Sequence, residues 1–100
     1  MSFQGKVVIV TGAGKGIGKC IAETYASEGA TVVIAEKDPE LGNNTEKEIK
    51  AKGEKAEFVR ADVSRPGDII NLIQKVAEKY LSIDILINNA GISSHESPYD

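Results

Sequence analysis

Four short β-branched runs alternate with three longer helical patterns along this chain, and few architectures accept that order. Residues 6–11, Lys-Val-Val-Ile-Val-Thr, are too continuously apolar for a strand with one wet face. They read as a strand buried on both sides, as in a parallel sheet. Glycines follow, then a helix from about Gly16 to Glu28, with Gly29 as its stop. Its buried side is expected to carry Ile17, Ile21 and Tyr25, with Gly18, Ala22 and Ala26 permitting close approach. Thr31–Glu36 is a second strand. Asp38-Pro39 begins a helix to about Lys52, halted by Gly53, with a thin apolar stripe of Leu41, Ile49 and Ala51. Ala56–Arg60 is a third strand. Ser64 is expected to cap a third helix whose Ile69, Leu72, Ile73, Val76, Ala77 and Tyr80 keep the helical period. Ile83–Ile87 is a fourth strand, ended by Asn88-Asn89-Ala90-Gly91. Strand–helix alternation with short connections forces parallel strands and right-handed crossovers. The expectation is an α/β, doubly wound parallel sheet in strand order 3-2-1-4, with the first strand central.

Composition narrows the setting. One hundred residues suit one small domain, and 41% hydrophobic with 27% charged residues is ordinary for a globular protein. The net charge of -3 and the scatter of basic residues among acidic ones, as at Glu46-Lys47-Glu48, argue against nucleic acid as a partner. No window approaches the ~18–20 apolar residues of a membrane span, and the opening residues run into a strand too short for a signal peptide. Cys20 is the single cysteine, so an internal disulfide or a cysteine metal cluster is ruled out; it is expected as a small packing residue. Together these features point to the cytoplasm, no membrane and no metal site.

The turn Thr11 to Gly18, Thr-Gly-Ala-Gly-Lys-Gly-Ile-Gly, lies between a strand and a helix. Helix N-termini offer unpaired N–H groups and a positive dipole end, and glycines let a diphosphate approach that backbone. Glu36 stands about 20 residues past Gly16, at the tip of the second strand, where a carboxylate accepts hydrogen bonds from a ribose. A P-loop needs Ser or Thr after its lysine, and Lys15 is followed by Gly16, so that reading fails. A methyltransferase also pairs a glycine turn with an acid after the second strand, and stays open at this point.

Three motifs, each at a strand's C-terminal end, then resemble one family. Thr11 to Gly18 resembles the Thr-Gly-x-x-x-Gly-Ile-Gly fingerprint of the short-chain dehydrogenases/reductases. Asp62-Val63 resembles their adenine-contacting pair, and Asn88-Asn89-Ala90-Gly91 their Asn-Asn-Ala-Gly motif. The three together displace the methyltransferase reading. The resemblance covers essentially the whole chain and implies the N-terminal part, residues 1–100, of a single Rossmann-like dinucleotide-binding domain. It further implies that Gly12, Gly16 and Gly18 form the turn, with the Ile17 N–H near the pyrophosphate. Asp62 would bond the adenine amino group, Val63 would pack beside the ring, and Asn89 would contact the cofactor ribose. Ala90 and Gly91 complete the cofactor-binding set. Thr11 and Asn88 would bond across the ends of the first and fourth strands.

For the cofactor, Glu36 repels the extra phosphate of NADP and welcomes the free hydroxyl of NAD, whereas Lys15 and Lys37 stand where NADP-preferring members often carry basic residues. One close carboxylate should outweigh two solvated lysines, since exposed pairs contribute about 0–1 kcal/mol; NAD is expected over NADP. The implied activity is hydride transfer between a nicotinamide and a small-molecule alcohol or ketone, in a protein that could be a homo-oligomer. The family's Tyr-x-x-x-Lys pair is absent: Tyr25 is followed at the fourth position by Gly29, Tyr80 by Asp84, and Tyr99 lies next to the terminus. Ser93, Ser94 and His95 read as loop residues. The expectation is therefore a truncated piece that binds cofactor, with no catalytic residue of its own, inactive alone and with its fourth strand an open edge. The alternative is a non-catalytic nucleotide-binding or interaction module of the same fold.

Overall fold

The computed structural model describes residues 2–89. Its elements are β1 (Val7–Thr11), α1 (Gly16–Ser27), β2 (Thr31–Glu36), α2 (Pro39–Ala51), β3 (Lys55–Arg60), α3 (Pro66–Tyr80) and β4 (Ile85–Ile87). The strands are all parallel and lie in the order β3-β2-β1-β4, as the alternation requires. Side chains alternate across a strand. Val8 and Val10 of β1, with Val32 and Ile34 of β2, therefore meet Ala22, Ala26 and Ile49 from α1 and α2 on one face. Val7, Ile9 and Val33 meet Leu72 and Val76 of α3 on the other. Two covered faces explain why β1 is buried at every position.

Helix α1 departs from expectation in which residues it buries. Gly18, Ala22 and Ala26 are its buried positions, while Ile21 and Tyr25 pack at the margin and Ile17 is 73% exposed. The smallest side chains face the sheet because the helix approaches it too closely for larger ones. Cys20, expected inside, is exposed on the same helix. In α2, Asp38 is the cap, accepting from the N–H groups of Glu40 and Leu41, with Pro39 at the first helical position. Its buried positions are Gly42, Thr45 and Ile49; Ala51, placed on the apolar stripe, is exposed. A β-carbon at Gly42 would overlap the Phe58 ring, so glycine is what seats α2 against β3.

Ser64 does not cap α3. Arg65 occupies the cap position without a side-chain bond, and Pro66 starts the helix. Ser64 is tied to Asp62 instead, through its N–H at 3.0 Å and its hydroxyl at 2.6 Å. Strand β4 is shorter than the apolar run that suggested it; Asp84, just before it, meets Val7 with its own N–H on the Val7 carbonyl at 2.9 Å and its carboxylate on the Val7 N–H at 2.8 Å. β4 lies at the edge of the sheet, with Leu86 48% exposed.

At the opposite edge, β3 is tied to both neighbouring helices. Glu46 of α2 accepts from the Phe58 N–H at 2.9 Å. Glu57 accepts from the Tyr80 hydroxyl at 2.6 Å and the Lys79 ammonium at 2.8 Å. Burial pushes the Glu57 carboxyl up, but the bonds from Lys79 and Tyr80 outweigh it and hold the group below its ordinary value of 4.5. A carboxylate held low in the folded state stabilises fully above its unfolded value, and that contribution fades as pH falls through the folded one. Tyr80→Phe is expected to cost about 1–2 kcal/mol at neutral pH and less in acid. Urea unfolding at both pH values checks this; an equal deficit at each would show that the Tyr80 hydroxyl contributes independently of the charge on Glu57.

Candidate functional site

The C-terminal ends of β1, β2 and β3 open on one cleft of about 510 Å³, lined by Gly12, Lys15, Gly16, Glu36, Lys37, Ala61, Asp62, Val63, Ser64 and Asn89. Seven of the residues expected to bind the cofactor meet there: Gly12, Lys15, Gly16, Glu36, Asp62, Val63 and Asn89. Gly18 is buried behind the turn, and Ile17 projects into solvent without lining the cleft. Ala90 and Gly91 lie outside the described residues.

The four glycines of the turn divide into two kinds. Gly12 and Gly16 have φ of 63° and 61°, a left-handed conformation that other residues adopt only with strain. An added β-carbon at Gly16 meets nothing, so its backbone conformation is the reason for glycine there. At Gly18 a β-carbon would overlap the Gly12 carbonyl and stand 2.6 Å from Asn89 Nδ2. At Gly14 it would stand 2.6 Å from Leu41 Cβ and 2.7 Å from Glu36 Oε1. Gly14 and Gly18 thus clear space for the protein itself, and Gly12 and Gly16 shape the bend.

The bend delivers the chain into α1. Lys15, its cap residue, makes no side-chain capping bond, and no acidic residue sits in the first turn. Its first N–H groups have no carbonyl four residues back to receive them, so the positive end of the helix dipole is left open beside the cleft. Behind the bend, the Asn89 amide donates to the Gly12 carbonyl at 3.4 Å. The Thr11 hydroxyl lies 3.0 Å from Asn88 Oδ1 and 3.4 Å from the Ile87 carbonyl, joining the ends of β1 and β4.

Two carboxylates flank the cleft. Glu36 is 7% exposed; Oε1 accepts from the Gly14 N–H and Oε2 from the Asp38 N–H, each at 3.0 Å. A carboxylate has about four acceptor sites, so each oxygen keeps capacity for a ligand. Asp62 Oδ1 is held by Ser64, and the hydroxyl bond first, then the Ser64 N–H, draws the Asp62 carboxyl below its usual range, with Lys37 and Arg65 adding to the effect. Asp62 thereby orders the β3–α3 loop. Its own N–H is accepted by Asp68 at 2.9 Å. Ser64 in the cleft wall escaped the sequence reading because Ser before a proline-started helix imitates a cap. Among the described residues no three His, Cys, Asp or Glu side chains are grouped to hold a metal. No described helix is long and apolar enough to cross a membrane.

A second cavity of about 480 Å³ lies beside α1, lined by Phe3, Cys20, Ile21, Thr24, Tyr25, Glu28 and Ile87. Its walls are mainly apolar, with Glu28 the one acidic residue in its lining.

Residues 6–99 match the family model described as short chain dehydrogenase. An uncharacterized oxidoreductase of Thermotoga maritima is 40% identical over 98% of this chain and 38% of its own length. A metagenomic short-chain oxidoreductase solved in complex with NADP superposes with a TM-score of 0.87 at 39% identity, over 92% of this chain and 42% of that one. A short chain dehydrogenase/reductase from Burkholderia phymatum, solved in complex with NAD, does so with a TM-score of 0.81 at 34% identity, over 86% of this chain and 31% of that one. The chain therefore spans well under half the length of these relatives. With three strand ends, an open helix terminus and a glycine bend converging on one cleft, and with a family model matching nearly its whole length, this chain belongs to the short-chain dehydrogenase/reductase family.

Proposed function

We propose that these residues form the NAD-binding part of one dinucleotide-binding domain, in an oxidoreductase acting on a small alcohol or ketone. The observation that carries this reading is the uncapped N-terminus of α1, set beside the cleft by Gly12 and Gly16. It suits a diphosphate, which is anionic and bonds to backbone N–H groups. In this reading Gly12, Lys15, Gly16 and the Ile17 N–H hold the diphosphate, and Gly18 keeps α1 close enough to present it. Glu36 takes the ribose hydroxyls, Asp62 and Val63 the adenine, and Asn89, with Ala90 and Gly91, the ribose nearer the nicotinamide. The bound nicotinamide supplies or accepts the hydride; the residues here bind and orient it.

Glu36 supports NAD over NADP, since its buried carboxylate on the cleft would repel the extra phosphate of NADP. Lys15 and Lys37 stand on the same cleft and favour the opposite choice. Titration of the intact protein with NADH and NADPH, followed by fluorescence, decides. NADH is expected to bind more tightly. Tighter NADPH overturns the preference, and binding of neither at millimolar concentration overturns the reading.

A further inference from the structure

Thr45 is a wholly buried threonine in the middle of α2, at 0% exposure. Threonine is a poor helix former, and at an interior position a valine of the same shape would pack without a polar atom to satisfy. Its hydroxyl does not serve α2. It reaches across to donate to the Gly14 carbonyl at 3.3 Å. The N–H of the same residue is held by Glu36 Oε1 at 3.0 Å. Gly14 is thus gripped at both polar groups by two buried side chains, Glu36 at the cleft wall and Thr45 behind it, while its missing β-carbon leaves room for Leu41 and Glu36.

The geometry carries this grip to the cleft. A trans peptide points its N–H opposite to its C=O. Holding the Gly14 carbonyl against α2 therefore turns the Lys15 N–H away from α2, and Lys15 lines the cleft at the entrance to α1. Thr45 does not line the cleft, so its effect on a ligand passes through the Gly14–Lys15 peptide plane.

We propose that Thr45 is a positioning residue for the glycine turn: its hydroxyl fixes the Gly14–Lys15 peptide plane that presents the Lys15 N–H to a diphosphate, while the Glu36 carboxylate holds the preceding Ala13–Gly14 plane. The proposal rests on the dinucleotide reading for its ligand, but its mechanical part concerns the unliganded chain. In the intact protein, Thr45→Val removes the hydroxyl and keeps the shape, and Thr45→Ser keeps the hydroxyl and trims a methyl. Thr45→Val is expected to weaken NADH binding about fivefold, the effect of one ordinary hydrogen bond, and to speed amide exchange at Gly14 and Lys15 without NADH. Thr45→Ser is expected to restore both to near the unaltered protein, although it leaves a small void. Unchanged NADH affinity in Thr45→Val overturns the proposal, as does equal loss in the two variants, which would mean packing. Should the unaltered protein bind neither NADH nor NADPH, the dinucleotide reading has failed by itself. Amide exchange then decides whether Thr45 holds the turn, and unchanged exchange at Gly14 and Lys15 in Thr45→Val overturns that part.

Discussion

Gly18→Ala is expected to cost about 2–3 kcal/mol of stability and to abolish measurable NADH binding. The methyl group would be driven into the Gly12 carbonyl and to 2.6 Å from the Asn89 amide. Neither yields cheaply: one is backbone in the bend itself, and the other is the side chain that donates to that same carbonyl. Relief requires α1 to move away from the end of β1, which opens the layer formed by Ala22 and Ala26 beneath it. The open helix terminus moves with it. Gly67→Ala is the control. It adds the same methyl to α3, where it meets nothing, and is expected to be neutral or to stabilise by up to about 1 kcal/mol. Urea midpoints for both variants check the pair. Equal midpoints would show that α1 has slack which the close approach at Gly18 does not suggest.

Glu36→Ala is expected to cost about 2–4 kcal/mol, because two backbone donors, at Gly14 and Asp38, lose their acceptor together and the first of them is buried. Glu36→Gln keeps one acceptor oxygen and should lose roughly half as much. This matters for reading cofactor preference. A variant made to admit NADP by removing the carboxylate also loosens the turn proposed to hold the diphosphate, so NADH and NADPH affinity should both fall in Glu36→Ala. A rise in NADPH affinity without loss of stability would show that Glu36 contributes nothing to the turn. Urea unfolding and the two titrations, run on one preparation, give both numbers.

Much of this molecule is legible in its sequence where a rule depends on neighbours along the chain. The strand order follows from short connections between alternating elements, and the Asp38-Pro39 start of α2 from a cap and a proline side by side. The glycine bend and the acid at the end of β2 appear at the spacing that brings them to one cleft. The errors fall where distance between elements decides. α1 buries its small residues and exposes Ile17 and Cys20 because it approaches the sheet closely. Ser64 serves Asp62 and leaves α3 uncapped, since a hydroxyl bonds whichever partner the loop brings nearest. Thr45 carries no signal at all, being one polar residue among many in α2.

What the sequence determined by itself is the set of local conformations: which residues extend, which coil, and where φ must turn positive. Those preferences act within a few residues and need no partner. Only the tertiary structure decided what each glycine is for and where each buried polar group spends its bonds. Gly14 and Gly18 are set by atoms 22 residues or more away in sequence or by a facing carbonyl, and Glu36 and Thr45 by a loop that neither adjoins. Packing distance and hydrogen-bond satisfaction belong to pairs of elements, and they exist only once those elements have met.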